Sequence, residues 1–375
     1  MQLTGTPFLL LTIILVPVSI LVALLFWGRV GGPKAVQAVT RLIMLLFCQA
    51  TAVLMVFVLV NNANLIYGSW DDLLGTSNHV RAVPVPPSDA TLGQGGTSGD
   101  AKPAKVLQQF KGVGDPVVPS DVQTTELKGR LSGVDGEVLV WLPPQYNDPA
   151  YKDKNFPVVE LLPGFPGSSK TWFGTLRVSD QLKPLMQSGE VAPFILVSPR
   201  TQLMNDGSDT GCADVPGKVN ADTWLSRDVP QMIMDNFRAD PSSDRWAVAG
   251  YSAGAHCADR LALEHPNRYR AAISMSGYND PTAEAKSLTA KDPHLAEISN
   301  PLYILTHAPQ PPKVALFQSG AKGDGYESGQ ALAKAAKAPT TVTVTESTSG
   351  HDRDVWGPMV PVIFKWLTGI IPVQH

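Results

Sequence analysis

Cysteine is scarce in this chain, with three among 375 residues. Cys48 stands in an apolar run, and Cys212 and Cys257 stand far from it. No Cys-x-x-Cys pair occurs, which excludes the common zinc and redox motifs and leaves no metal expected. A basic surplus is also lacking: the formal net charge is −3, so nucleic acid is not an expected partner. Charge is absent altogether from two early stretches. Phe8 to Trp27 and Leu42 to Val60 hold no Asp, Glu, Lys or Arg.

Those two stretches are long enough to matter. A helix rises 1.5 Å per residue, so roughly 20 residues match the ~30 Å hydrocarbon core of a bilayer. Both are expected to span a membrane as a hairpin over residues 1–61. A cleaved signal peptide fits the first less well, because no Lys or Arg precedes Phe8. Arg29, Lys34 and Arg41 lie between the runs. Positive loops stay in the cytoplasm, which puts both termini on the outer side. The expected location is therefore a membrane with two spans and everything after Asn61 extracytoplasmic.

Residues 62–120 read as a juxtamembrane segment and a flexible linker. From Pro84 to Pro119 the chain is rich in Pro, Gly, Ser, Thr and Asp, with no periodic apolar face. Such a linker has a root-mean-square reach of roughly 35 Å.

Residues 121–375 then alternate short β-rich runs with helical stretches. The runs are Val138–Leu142, Val158–Leu162, Phe194–Ser198, Trp246–Ala249, Ala271–Met275, Val314–Gln318 and Thr341–Thr345. Several are continuously apolar, as strands buried on both faces are. The alternation predicts an α/β fold, a mostly parallel sheet with helices on both faces, with one or two antiparallel strands at an edge.

Gly250-Tyr251-Ser252-Ala253-Gly254 reads Gly-x-Ser-x-Gly between a strand and a helix. That is the context of a nucleophile elbow, so Ser252 is the candidate nucleophile. His351, in Ser349-Gly350-His351-Asp352, follows the last β-run, where a catalytic base belongs. His79, His256, His265, His294 and His307 lack such placement. The acid is expected between these two in chain order. Asp324 follows Val314–Gln318 between two glycines, and Glu327 is the alternative. Phe165, in Leu162-Pro163-Gly164-Phe165-Pro166-Gly167, and Ala253 are the expected backbone donors of an oxyanion hole. If the domain lies outside the cytoplasm, Cys212 and Cys257 can form a disulfide; otherwise they remain buried thiols. Asp206, Asp209 and Asp214 lack the terminal bidentate Glu of a calcium loop.

The region from Val122 to Leu367 resembles the Putative esterase branch of the α/β hydrolases, with esterase D, feruloyl esterases and the antigen 85 mycolyltransferases. The matching segments are Leu161–Gly167 with Trp172, Asp244–Gly254, Ala271–Gly277, and Ser349–Asp352 with Trp356. The resemblance implies an α/β-hydrolase fold, an acyl-enzyme on Ser252, and no cofactor. It implies hydrolysis of a carboxylic ester or transfer of its acyl group. An Asp at 324, where antigen 85-like members carry Glu, favours hydrolysis over mycolyl transfer. A membrane anchor makes a lipid or cell-envelope ester the expected substrate. A non-catalytic envelope protein retaining the fold is the competing expectation.

Overall fold

A computed structural model describes residues 2–76, 78–85 and 105–371. Its central sheet has nine strands. In chain order these are β1 (Lys111–Gly112), β2 (Gln123–Lys128), β3 (Asp135–Trp141), β4 (Val158–Leu162) and β5 (Ile195–Pro199), then β8 (Trp246–Tyr251), β9 (Ala271–Met275), β10 (Ala315–Gly320) and β11 (Thr341–Glu346). A separate two-stranded ribbon, β6 (Asp214–Val215) and β7 (Val219–Asn220), lies between β5 and β8 in sequence. Across the large sheet the order is β1-β2-β3-β5-β4-β8-β9-β10-β11. From β5 to β11 all pairs are parallel, whereas β1–β2, β2–β3 and β3–β5 are antiparallel.

The strand sequences explain this layering. β4, β5, β8, β9 and β10 are buried at every position, as strands covered by helices on both faces must be. Alternate residues feed two cores. Val158, Leu162, Val248 and Leu316 pack with Trp224, Ile233 and Leu261 on one face. Val159, Leu161, Ala249, Ile273 and Phe317 pack with Leu182, Trp172 and Phe364 on the other. β11, Thr-Val-Thr-Val-Thr-Glu, has no fully buried residue and closes one edge.

Two long apolar helices precede the sheet: α1 (Thr6–Phe26) and α2 (Lys34–Asn64), whose most apolar 18-residue stretches have mean hydropathies of 3.0 and 2.7. Both are long and apolar enough to cross a membrane, and little of either is buried. They pack as a hairpin, joined midway by Ser19 Oγ and Thr51 Oγ1 at 3.1 Å. α2 exceeds the expected span at both ends. Its 31 residues make a rod of about 46 Å, longer than a bilayer core. Lys34 and Arg41 consequently sit in its first turns, and the connection shortens to residues 27–33.

The segment that follows α2 is not a free tether. α2 ends at Asn64, and Leu65 turns the chain with φ 51° and ψ 42°. Leu65 is fully buried. A Cβ added to Gly174 would stand 2.5 Å from Leu65 Cδ1, so the seat for this leucine depends on a glycine. Ser168 Oγ donates to Leu65 O at 2.8 Å, and Thr175 Oγ1 to Ala63 O at 3.3 Å. At the other helix, Thr4 Oγ1 donates to Asp115 Oδ2, which also meets Lys170 Nζ at 3.3 Å. Arg200 pairs at 2.9 Å with Asp72, which lies in the short helix Trp70–Leu74. Burial alone would raise the Asp72 pKa, but His79 and Arg200 outweigh it and hold it well below the usual range.

The linker expectation also needs correction at its far end. Residues 105–120 lie along the α/β unit. Val106 and Gln108 N–H groups donate to Asp235 and Asn236, Phe110 packs on Phe237, and Lys111–Gly112 extends the sheet. Backbone partners and an apolar contact here outweigh the polar composition that suggested a free coil. The span from Pro86 to Ala104, the heart of the expected linker, lies outside the described residues.

Candidate active site

The carboxyl ends of β8, β9 and β10 meet at one point. β8 ends in Tyr251, and Ser252 follows with φ 55° and ψ −126°. A non-glycine residue with positive φ is strained, at a cost of order 1–3 kcal/mol. The strain is held in place by neighbours. Ser252 N–H donates to Met275 O at 2.9 Å, and the helix Ala253–Glu264 starts directly behind it. Gly254 has no alternative: a Cβ there would lie 2.3 Å from Leu162 O.

His351 Nε2 lies 2.8 Å from Ser252 Oγ, and His351 Nδ1 lies 2.8 Å from Asp324 Oδ1. These three residues are separated by as many as 99 positions in the chain. Asp324 sits in the turn after β10, where Gly325 has φ 94°. His351 sits in the loop after β11. The alternative acid, Glu327, does not reach the histidine; its Oε2 accepts from Gly323 N–H at 2.9 Å and so shapes the same turn.

Aromatic rings support the imidazole. His351 stands edge-on to Trp356 with centroids 5.0 Å apart. Trp356 stacks on Tyr251 at 4.5 Å, and its Nε1–H donates to Ser276 Oγ at 3.1 Å. Tyr251 also meets Trp172 at 5.6 Å. Burial pushes the Tyr251 phenol far up, so it stays neutral.

A cavity of about 220 Å³ opens over Ser252 and His351. Its walls include Phe165, Thr175, Leu176, Trp356 and, from the end of the hairpin, Asn64 and Ile66. Phe165, one expected oxyanion donor, thus borders the serine; Ala253, the other, is the first residue of the elbow helix. A second cavity of about 320 Å³ shares Phe165 and Pro166. Its lining is more polar and includes Gln202, Asn205, Asp206 and Lys286.

The remaining expected side chains have local partners. A disulfide joins Cys212 to Cys257 across 45 positions, and Cys257 belongs to the elbow helix. His256 stacks on Tyr278, and burial lowers its pKa to about 4. Asp206 Oδ1 accepts from Ser208 N–H, and Asp214 accepts from Thr223.

Sequence reading missed a partly buried ion network. Asp222, Glu264 and His265 converge within metal-ligating distance. Arg260 already bridges Asp222 at 2.7 Å and Glu264 at 2.6 Å, so a guanidinium supplies the positive charge there. No motif marks these residues, because the pairing joins Asp222, in the helical turn Ala221–Thr223, to the distant helix behind the elbow.

Comparison with known proteins bears on this site. The family described as "Putative esterase" matches residues 132–365. An uncharacterised protein of Corynebacterium glutamicum is 27% identical over 263 residues, covering 63% of this chain and 58% of its own. The chain therefore spans little more than half the length of that curated relative. Among solved structures, a ferulic acid esterase superposes with a TM-score of 0.55 at 21% identity, over 66% of this chain and 98% of its own. An S-formylglutathione hydrolase from Agrobacterium tumefaciens gives 0.54 at 15% identity, over 72% and 99%. These likenesses establish the shared fold, and the family match covers more than half of the sequence. The chain belongs to the Putative esterase family and has the α/β-hydrolase fold.

Proposed function

We propose that Ser252, His351 and Asp324 are the catalytic triad of a membrane-anchored extracytoplasmic esterase acting on a lipid or cell-envelope ester. The observation that carries this reading is the unbroken relay Asp324–His351–Ser252, with both contacts at 2.8 Å. In this proposal the chain divides into the apolar hairpin, the juxtamembrane and linker segment, and the hydrolase domain beginning near residue 121.

The chemistry follows from the atoms present. His351 Nε2 takes the Ser252 proton as Oγ attacks the ester carbonyl carbon. Asp324 holds the Nδ1 proton and stabilises the imidazolium. The carbonyl oxygen gains negative charge and is met by the N–H groups of Phe165 and Ala253. Each such donor contributes about 3 kcal/mol. The alkoxide leaves with the proton from His351, and an acyl-serine remains. Water, deprotonated by the same imidazole, then releases the carboxylic acid.

A second alcohol in place of water would make the enzyme an acyltransferase. What supports this second reading is the polar cavity that shares Phe165 and Pro166 with the site and has room for an acceptor. Product analysis with and without added alcohols separates the two outcomes.

A fluorophosphonate probe tests the central claim. It should label the full chain once, at Ser252, and should not label Ser252→Ala. An unlabelled but folded wild-type chain would establish the non-catalytic alternative. For the orientation, a cysteine placed in the segment 27–33 should react with membrane-impermeant maleimide only after the membrane is broken.

A further inference from the structure

We infer that the outer end of α2 is the acyl-binding wall of the active site, and that it receives the chain of a long-chain acyl ester directly from the bilayer. This deepens the esterase reading and rests on it. Two residues of the anchor, Asn64 and Ile66, line the cavity that holds Ser252 and His351. They are fixed there. The intervening Leu65 is fully buried and its carbonyl accepts from Ser168 Oγ, so the wall belongs to the same rigid body as the loop after β4.

The cavity alone is too small for a long chain. About 220 Å³ falls below the ~300–1,000 Å³ of pockets that enclose drug-sized ligands. Most of a long acyl group must therefore leave the cavity, and α2 offers the path. Val53, Val56, Val60 and Asn64 recur at helical spacing on one face. Val53, Val56 and Val60 are 62%, 54% and 49% exposed, and Asn64 Nδ2 bonds back to Val60 O. From Val53 to Asn64 the helix rises about 16 Å, the depth of one leaflet of a ~30 Å hydrocarbon core. An acyl chain lying on this track would stay in lipid while its ester reached Ser252. The alcohol part would then point across Phe165 and Pro166 into the polar cavity with Asp206 and Lys286.

The test uses the full chain in phospholipid vesicles, with p-nitrophenyl esters of 2 and 16 carbons as probes. Fluorophosphonate titration gives the active fraction of each variant. Ile66→Trp and Val60→Trp should lower the ratio of kcat/KM for the 16-carbon over the 2-carbon ester about tenfold. Ile66→Ala, which shortens the wall without blocking it, covers the case in which tryptophan prevents folding, and should shift the ratio at least threefold. Leu24→Trp, on the exposed face of α1, should leave it unchanged. A ratio unaltered in all the Val60 and Ile66 variants, or lowered equally by Leu24→Trp, overturns the inference while labelling at Ser252 keeps the esterase reading intact. Loss of labelling in the wild type overturns both.

Discussion

Ser168 Oγ donates to the carbonyl of Leu65 at 2.8 Å, tying the loop that follows β4 to the first residue beyond the apolar helix α2. This contact lies one short step from the catalytic cavity, since Ile66 is in its wall. The hairpin and the α/β unit thus share a packed joint and not only a covalent connection. Leu65 is the apolar centre of that joint. Leu65→Ala should cost about 2–5 kcal/mol locally, the usual range for a buried leucine. Hydrogen exchange is the measurement. Amides of residues 62–76 and 168–176 should exchange faster, while those of β8 keep their protection. Unchanged exchange at the joint would show that the leucine bears no stability.

The acid of the relay gives a sharper contrast. Asp324→Asn should lower kcat about 10⁴-fold, because an amide no longer fixes the productive imidazole tautomer. Glu327→Ala should cost less than about tenfold, since its carboxylate only braces the turn through Gly323 N–H. Steady-state hydrolysis of a soluble p-nitrophenyl ester reads both. Equal losses would place the acid at 327. Ser252→Ala and Ser252→Ala/His351→Ala should lose activity by nearly the same factor, since residues that act as a unit are not additive.

Much of this site was legible because its parts obey local rules. A strand, Gly-x-Ser-x-Gly and a helix can be read from one continuous stretch, as can a histidine after a late β-run. The parallel core strands showed themselves as unbroken apolar runs. What stayed hidden depends on contacts between distant segments. β2, Gln-Thr-Thr-Glu-Leu-Lys, has no apolar period and forms because β3 offers it an edge. Lys111–Gly112 likewise borrows its strand geometry from β2. The closing helix Arg353–Ile370 carries Pro358 and Pro361, which obscure its start, yet it buries Trp356, Phe364 and Leu367. Leu65 gave no sign at all: its seat is made by Gly174, more than a hundred residues on.

The disulfide links compartment to stability. Closing 45 positions is worth about 4 kcal/mol in the chain-entropy view. It also fastens the elbow helix to the segment whose Cys212 carbonyl accepts from Arg260 at 2.8 Å. The pair Cys212→Ala and Cys257→Ala should lower the melting temperature of the detergent-solubilised chain by roughly 8–15 °C, at about 2–4 °C per kcal/mol. Mass spectrometry of the chain purified under thiol-blocking conditions should show both sulfurs protected from alkylation. Free thiols at both positions in freshly isolated membranes would argue for a reducing compartment and against the proposed orientation.

Glu160 should give a large pH response. It lies inside β4 between Val159 and Leu161, fully buried, with Tyr269 O–H donating to its Oε2 at 2.9 Å. Burial drives its pKa up to about 8, only partly offset by the tyrosine and Arg268. The folded chain therefore holds a proton here that the unfolded chain has released. Between the ordinary carboxyl value and about pH 8 the native state binds more protons, so stability falls as pH rises through that window and is flat beyond it. Glu160→Gln removes the ionisation and keeps an acceptor for Tyr269. The variant should melt at nearly the wild-type temperature at pH 5 and at least 2–4 °C higher at pH 8, a gain of about 1 kcal/mol or more. A variant that melts lower at both pH values would mean that the carboxyl is held as a needed charge, with an unseen cation as its partner.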